Sequence, residues 1–248
     1  MKLLHITPHL GGGVGKAHAE ICAVLQPGLE RTFLLLEQPR DRRFADAIWT
    51  SGADVRIATA DTDMAALVAK ADIVQIEYWN HPKLFECLAM TDFPAMRPII
   101  WSHVSGLFAP FIALGLLPAP DHFVFTSPCS FQSDTVKHLE AETSFRPLAI
   151  GSGFGFRSNV IRPPSKSESL RIGYLGTVDF AKMHPDLFQM IDTINHPDLL
   201  VTIWGGFDAD GAVAQAVRHM QHPERVKLCG HCDDPQTILS KLDIFLYP

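Results

Sequence analysis

The strand-like run Lys2–Thr7 breaks into Gly11, Gly12, Gly13 and Gly15, and the amphipathic stretch Val14–Leu25 follows at once. A strand feeding a glycine turn that opens a helix leaves bare backbone N–H groups beside a helix N-terminus, where an anion is favoured. Two familiar phosphate loops can be tested against it. A Walker loop needs glycine, four residues, then Gly-Lys-Ser/Thr, and Leu10 and Ala17 stand where glycine and the hydroxyl belong. The dinucleotide fingerprint fits Gly11 and Gly13 but meets Lys16 at its third glycine; Glu37, ending the run Thr32–Glu37, is then the ribose-binding acid of that reading. A plain turn with no ligand is the third reading.

The turn belongs to a longer alternation. Apolar runs at Asp54–Ala58, Asp72–Glu77, Arg97–Ser102, His122–Thr126 and Arg146–Ile150 are separated by the helix-like stretches Asp41–Gly52, Thr62–Ala71, Pro82–Met90 and Ser130–Ala141. Strands alternating with helices, several of the strands continuously apolar, predict a parallel sheet covered on both faces. In the first helix Ala17, Ile21, Val24 and Leu25 have the spacing of a buried stripe. The polar, proline-rich segment from Arg162 to Ser169 reads as a linker, after which the alternation restarts. Its strands are Leu170–Leu175, Leu199–Trp204, Val226–Leu228 and Asp243–Tyr247; its helices are Phe180–Ile194, Asp210–Met220 and Pro235–Lys241. The expected organisation is an α/β unit over 1–161, a linker over 162–169 and a second, incomplete α/β unit over 170–248, with a ligand at the carboxyl ends of the strands.

Composition narrows the partners. The 248 residues carry a net charge of −6 spread along the chain, so no basic face marks nucleic acid. No signal-peptide layout and no apolar stretch of about 20 residues is present, and five cysteines lack framework spacing, which together point to a cytoplasmic protein.

The glycine turns of the second half carry the most specific signal. Gly173-Tyr-Leu-Gly-Thr177 is followed by Lys182, then Ile203-Trp-Gly-Gly206, Val226-Lys-Leu-Cys-Gly230 and Leu242-Asp-Ile-Phe-Leu-Tyr-Pro248. This order resembles the nucleotide-sugar domain of GT-B glycosyltransferases, specifically retaining glycosyltransferase family 4. Leu10–Val14 resembles that family's N-terminal donor loop, Ile99-Ile-Trp-Ser-His103 the strand bearing its active-site histidine, and Gly151-Ser-Gly153 the segment before its interdomain linker. The chain departs from the pattern at Thr177, where arginine is usual, and at Met183, where glycine is usual. It stops at Pro248, before the family's paired glutamates that hold ribose and sugar, so a fragment with weak nucleotide binding and no transfer of its own is expected.

The resemblance implies transfer of a sugar from a nucleotide diphosphate donor to a hydroxyl, with retention, no metal and no cofactor beyond the donor substrate. It implies Gly12, Gly13, Gly176, Thr177, Lys182, Gly205 and Gly206 at the donor, with Lys182 balancing diphosphate charge and His103 touching the sugar near its reacting carbon. Glu77, Tyr78, Trp79 and His81 end a strand on the same rim and are expected on the acceptor side. A GT-B epimerase or Rossmann oxidoreductase, or a non-catalytic nucleotide-sugar-binding module, are the alternatives. Val104–Pro120 holds no charge and reads either as a core helix or as a greasy lip for a lipid-linked acceptor or a membrane surface. Cys229-Gly-His-Cys232, Asp61-Thr-Asp63 and Asp208-Ala-Asp210 have the forms of redox and metal motifs, but the cysteines lack a thioredoxin-like surrounding and the aspartates stand where they cap helices.

Overall fold

The computed structural model describes residues 1–24, 26–39, 41–109, 111–153, 170–180, 182–232 and 234–247. The chain divides into two compact units, Met1–Gly155 and Phe156–Pro248. The expected linker, 162–169, lies outside the described residues.

The first unit alternates β1 (Lys2–Thr7), α1 (Gly12–Cys22), β2 (Glu30–Leu35), α2 (Arg43–Thr50), β3 (Asp54–Ile57), α3 (Met64–Ala69), β4 (Ile73–Tyr78), α4 (Pro82–Met90), β5 (Pro98–Ser102), β6 (His122–Phe125), α5 (Asp134–Glu142) and β7 (Leu148–Ala149). Every pairing is parallel, in the order β3-β2-β1-β4-β5-β6-β7. The chain lays strands outward from β1 to β3, then crosses to β4 on the other side. That reversal puts a topological switch point between the carboxyl ends of β1 and β4, the place where open parallel sheets bind ligands.

The two faces of this sheet differ in chemistry. Leu4, Ile6, Val74, Ile76, Tyr78, Ile100, Phe123 and Phe125 join Val68, Leu84 and Val136 from α3, α4 and α5 in one apolar core. On the opposite face, α1 and α2 cover Phe33 and Leu35 with Cys22, Ala45 and Ile48. The strand period of two therefore puts His5, Gln75, Glu77 and Trp101, on three adjacent strands, on that second face.

The first helix differs from its predicted stripe. Its buried residues are Gly15, Ala17, His18 and Cys22, Val24 is 61% exposed beyond its end, and Leu25 lies outside the described residues. Gly15 sets this rotation: a Cβ there would come within 1.9 Å of the Leu10 carbonyl oxygen, so the chain enters the helix closer than any side chain allows. Val104–Pro120 is no helix either. It is a loop with one short 3-10 turn, Leu114–Leu116, in which Ile112 and Leu117 turn inward while Phe108 and Phe111 are exposed. Gly106, Pro110, Gly115 and Pro118 inside the segment and Pro120 at its end deny it the continuous i→i−4 ladder. Among the described residues, no helix is long and apolar enough to cross a membrane.

The second unit runs β8 (Arg171–Leu175), α6 (Leu187–Thr193), β9 (Leu200–Trp204), α7 (Ala212–Arg218), β10 (Val226–Gly230), α8 (Pro235–Leu239) and β11 (Ile244–Phe245), in a parallel sheet ordered β10-β9-β8-β11. Tyr174, Phe188, Ile191, Val201, Ile203 and Val217 form its core. The strand read over Asp243–Tyr247 is short, Ile244–Phe245, and both of its side chains are nearly half exposed.

Candidate functional site

At the switch point, β1 ends into His9, β2 into Glu37, and β4 into Trp79, Asn80 and His81. Asn80 has φ 60°, the left-handed region that asparagine tolerates better than most residues, and its side chain accepts the Tyr78 hydroxyl proton. This kink turns Trp79 and His81 back over the rim, where Trp79 meets the rings of His9, His81 and His103 at 5.4, 6.1 and 6.0 Å. His81 caps α4: its Nδ1 accepts the Lys83 N–H at 3.2 Å, with Pro82 following as the first helical residue. His9 Nδ1 likewise accepts the Gly11 N–H at 3.0 Å. Both rings are thereby fixed with the proton on Nε2, and His81 Nε2 lies 3.5 Å from Glu37 Oε1.

Behind this rim is a second polar cluster, wholly interior. Glu77 is 0% exposed, with His5 at 3% and His18 at 1%. Its Oε2 is 2.7 Å from His103 Nε2, and its Oε1 accepts from Gln75 Nε2 at 2.7 Å. Burial works against the carboxylate charge, but the imidazoles of His18, His103 and His5 outweigh it and hold the group well below the usual carboxylate range. Burial dominates at His5 and pushes its imidazole down to about 4. An ionised Glu77 only accepts, so His103 carries its proton on Nε2 and turns Nδ1 the other way.

Of the residues expected on the acceptor side, Glu77 and Tyr78 are interior, which leaves Trp79 and His81 with exposed surface. The strand period, which hides successive residues on opposite faces, is the reason: only past Tyr78 does the chain leave the sheet. His103 directly follows β5, and its backbone N–H bonds the Tyr78 carbonyl at 2.8 Å. Gly12 and Gly13 are exposed in the first turn of α1, whose N-cap, Gly11, adds no side-chain hydrogen bond.

In the second unit the glycine turns gather at the carboxyl ends of β8, β9 and β10. Gly176 N–H bonds the Trp204 carbonyl at 3.0 Å, and Gly205 N–H bonds the Gly230 carbonyl at 2.7 Å. A Cβ on Gly205 would stand 1.8 Å from the Gly176 carbonyl oxygen, so the two turns touch through bare backbone. Thr177 and Gly206 are exposed beside them. Lys182 is exposed on a turn, its N–H bonded to the Asp179 carbonyl; it does not open a helix as the sequence suggested, because α6 begins only at Leu187. Asp63 caps α3 through the Ala66 N–H, and Asp208 accepts from Asp210 N–H, so each aspartate pair is engaged in local turns. All five cysteines are free thiols.

Sequence reasoning missed His5, His9 and His18. His5 interrupts an otherwise apolar strand, and His18 falls three residues after Gly15 and four before Cys22; that spacing was the available signal.

No protein-family model matches the sequence, and no curated protein does. Solved structures do match in fold. A glycosyltransferase from Rickettsia africae is 14% identical, with 98% of this chain and 72% of that one aligned at a TM-score of 0.67. HepE from Anabaena, solved with UDP-glucose, is 16% identical over 99% of this chain and 73% of its own, at 0.68. Sucrose-phosphate synthase from Thermosynechococcus elongatus is 14% identical over 100% and 75%, at 0.62. The neighbours are GT-B glycosyltransferases, and the two parallel sheets described above share that fold.

Proposed function

We propose that this chain acts in glycosyl transfer, moving a sugar from a nucleotide diphosphate donor to a hydroxyl acceptor with retention, in the manner of glycosyltransferase family 4. The observation that carries the reading is the extent of the likeness: a structure solved with UDP-glucose aligns with 99% of this chain, both sheets included. Fold alone does not assign chemistry, so the site must supply it.

The Gly176 and Gly205 N–H groups hold the two turns together, which leaves the exposed backbone at Thr177 and Gly206 to meet a diphosphate, and Lys182 adds a cation as negative charge builds on the leaving group. Gly12 and Gly13 offer the same at the start of α1. His103, locked by Glu77 with its proton on Nε2, keeps Nδ1 to accept a hydroxyl of the donor sugar. Trp79 and His81 supply an aromatic platform and an N–H donor of the kind that hold a sugar or lipid-linked acceptor.

A radiolabelled nucleotide sugar, incubated with and without hydroxyl acceptors, tests this. Saturable donor binding is expected, and acceptor-dependent transfer of label with the donor's anomeric configuration retained would overturn the expectation that the chain has no transfer of its own. Rearranged sugar without acceptor would make the chain an epimerase, and no donor binding would contradict the reading.

A further inference from the structure

Among the described residues, Glu77's ion-pair partners are all histidines. An ionised carboxylate with no exposed surface needs a countercharge, either a proton on one of those rings or a bound cation. The geometry of the cluster distinguishes the two. His18 Nε2 lies 2.9 Å from Glu77 Oε1, yet the hydrogen bond that this distance allows is not made. His5 Nδ1 lies 3.6 Å from the same oxygen, and neither of its ring nitrogens has a hydrogen-bond partner although both are buried. A protonated ring would aim its N–H straight at the oxygen. Two ligands of one ion instead aim their lone pairs at a point beside the line joining them. Ligands held about 2.0–2.2 Å from a tetrahedral ion stand about 3.4 Å apart, and 2.9 and 3.6 Å fall on either side of that spacing.

We propose that His5, His18 and Glu77 Oε1 bind a divalent transition-metal ion of the zinc class, which neutralises the buried carboxylate and ties α1 to β1 and β4. Two imidazoles and one carboxylate are the donor set such ions prefer. Gln75 and His103 hold the carboxylate from either side, as outer partners of a metal site do. A cavity of about 280 Å³, bordered by His5, His18, Gln75 and Trp101, has room for a fourth, water ligand. The rim cluster of His9, Glu37 and His81 has the same composition and brings its ligand atoms within 4.8 Å of one another. Its rings, however, accept backbone N–H bonds on Nδ1 and present protonated Nε2 atoms, which donate and do not ligate. The buried site shares Glu77 with the lock on His103, but metal binding does not depend on the glycosyl-transfer reading and survives its failure.

The test uses the full chain purified without a metal-affinity tag, stripped with a chelator and titrated with Co2+, followed by visible absorption and elemental analysis. One Co2+ per chain with tetrahedral absorption is expected, unchanged in the double variant His9→Ala, His81→Ala and weakened at least about 100-fold in His18→Gln or Glu77→Gln. Circular dichroism checks that each variant is folded. Should the buried variants fail to fold, the wild-type protein decides: its Tm should fall on chelation and recover with Zn2+. Absence of stoichiometric Co2+ together with a Tm indifferent to chelator would overturn the proposal and leave a protonated histidine as the countercharge. Binding that disappears in the rim double variant would overturn it equally.

Discussion

The chain builds the trio His, His, Glu twice in its first unit, and the two copies behave as different chemical objects. At the rim, His81 and Glu37 have side chains 20% and 38% exposed, and the imidazoles are oriented by backbone N–H groups of the turns that follow. Inside, His5, His18 and Glu77 are at most 3% exposed, and their nitrogen and oxygen atoms converge within 4.8 Å of one another with, among the described residues, no backbone N–H between them. The difference teaches that the partner of a histidine's second nitrogen, more than the residue's identity, decides whether the ring donates or ligates. It also teaches where energy is at stake, since bulk water screens the partly exposed rim trio far more than the interior one.

Stability separates the two most sharply. Glu77→Ala should cost about 3–5 kcal/mol, the range for breaking a buried charged network, and Glu37→Ala about 0–1 kcal/mol. Urea denaturation of both variants measures this, and equal costs would erase the distinction. A smaller effect tests how α1 delivers His18. Gly15→Ala places a methyl against the Leu10 carbonyl and should cost about 1–3 kcal/mol, whereas Gly13→Ala, where a Cβ meets nothing within 4 Å, should stay within about 0.5 kcal/mol. Smallest in stability is Trp79→Ala at the half-buried rim, at about 1 kcal/mol or less; there the effect belongs to binding, with acceptor KM raised on the order of tenfold and donor KM unchanged. A Trp79→Ala protein that loses stability as Glu77→Ala does would make the rim a structural element.

The order of strands and helices in both units was legible because each strand from Lys2–Thr7 to Leu200–Trp204 is a short apolar run set off by glycine, proline or charge. Two kinds of feature were not. Helix rotation in α1 was misread because Ile21, Val24 and Leu25 form a plausible apolar stripe, while the close approach at Gly15 turns His18 and Cys22 inward instead; that approach depends on the position of Leu10, which no local pattern records. Burial of Glu77 was missed because a carboxylate at a strand end reads as a rim residue, and only the three imidazoles arriving from β1, α1 and the end of β5 make its burial tolerable. The positions of Trp79 and His103 just past the carboxyl ends of β4 and β5 were legible, because both strands are apolar runs that end one residue before them. Lys182 was placed wrongly on a helix, because Phe180–Ile194 was read as one helix although Pro185 and Asp186 mark the start that α6 makes at Leu187.

The central claim is that the chain serves a nucleotide diphosphate sugar. Calorimetric titration with UDP tests it most directly, comparing the wild-type chain with Lys182→Ala. Saturable binding at one site per chain, weakened by about 1–3 kcal/mol in the variant as expected for a lost charge-assisted hydrogen bond, is the predicted result. No heat of binding with UDP, or binding of a nicotinamide dinucleotide in its place, would contradict the account.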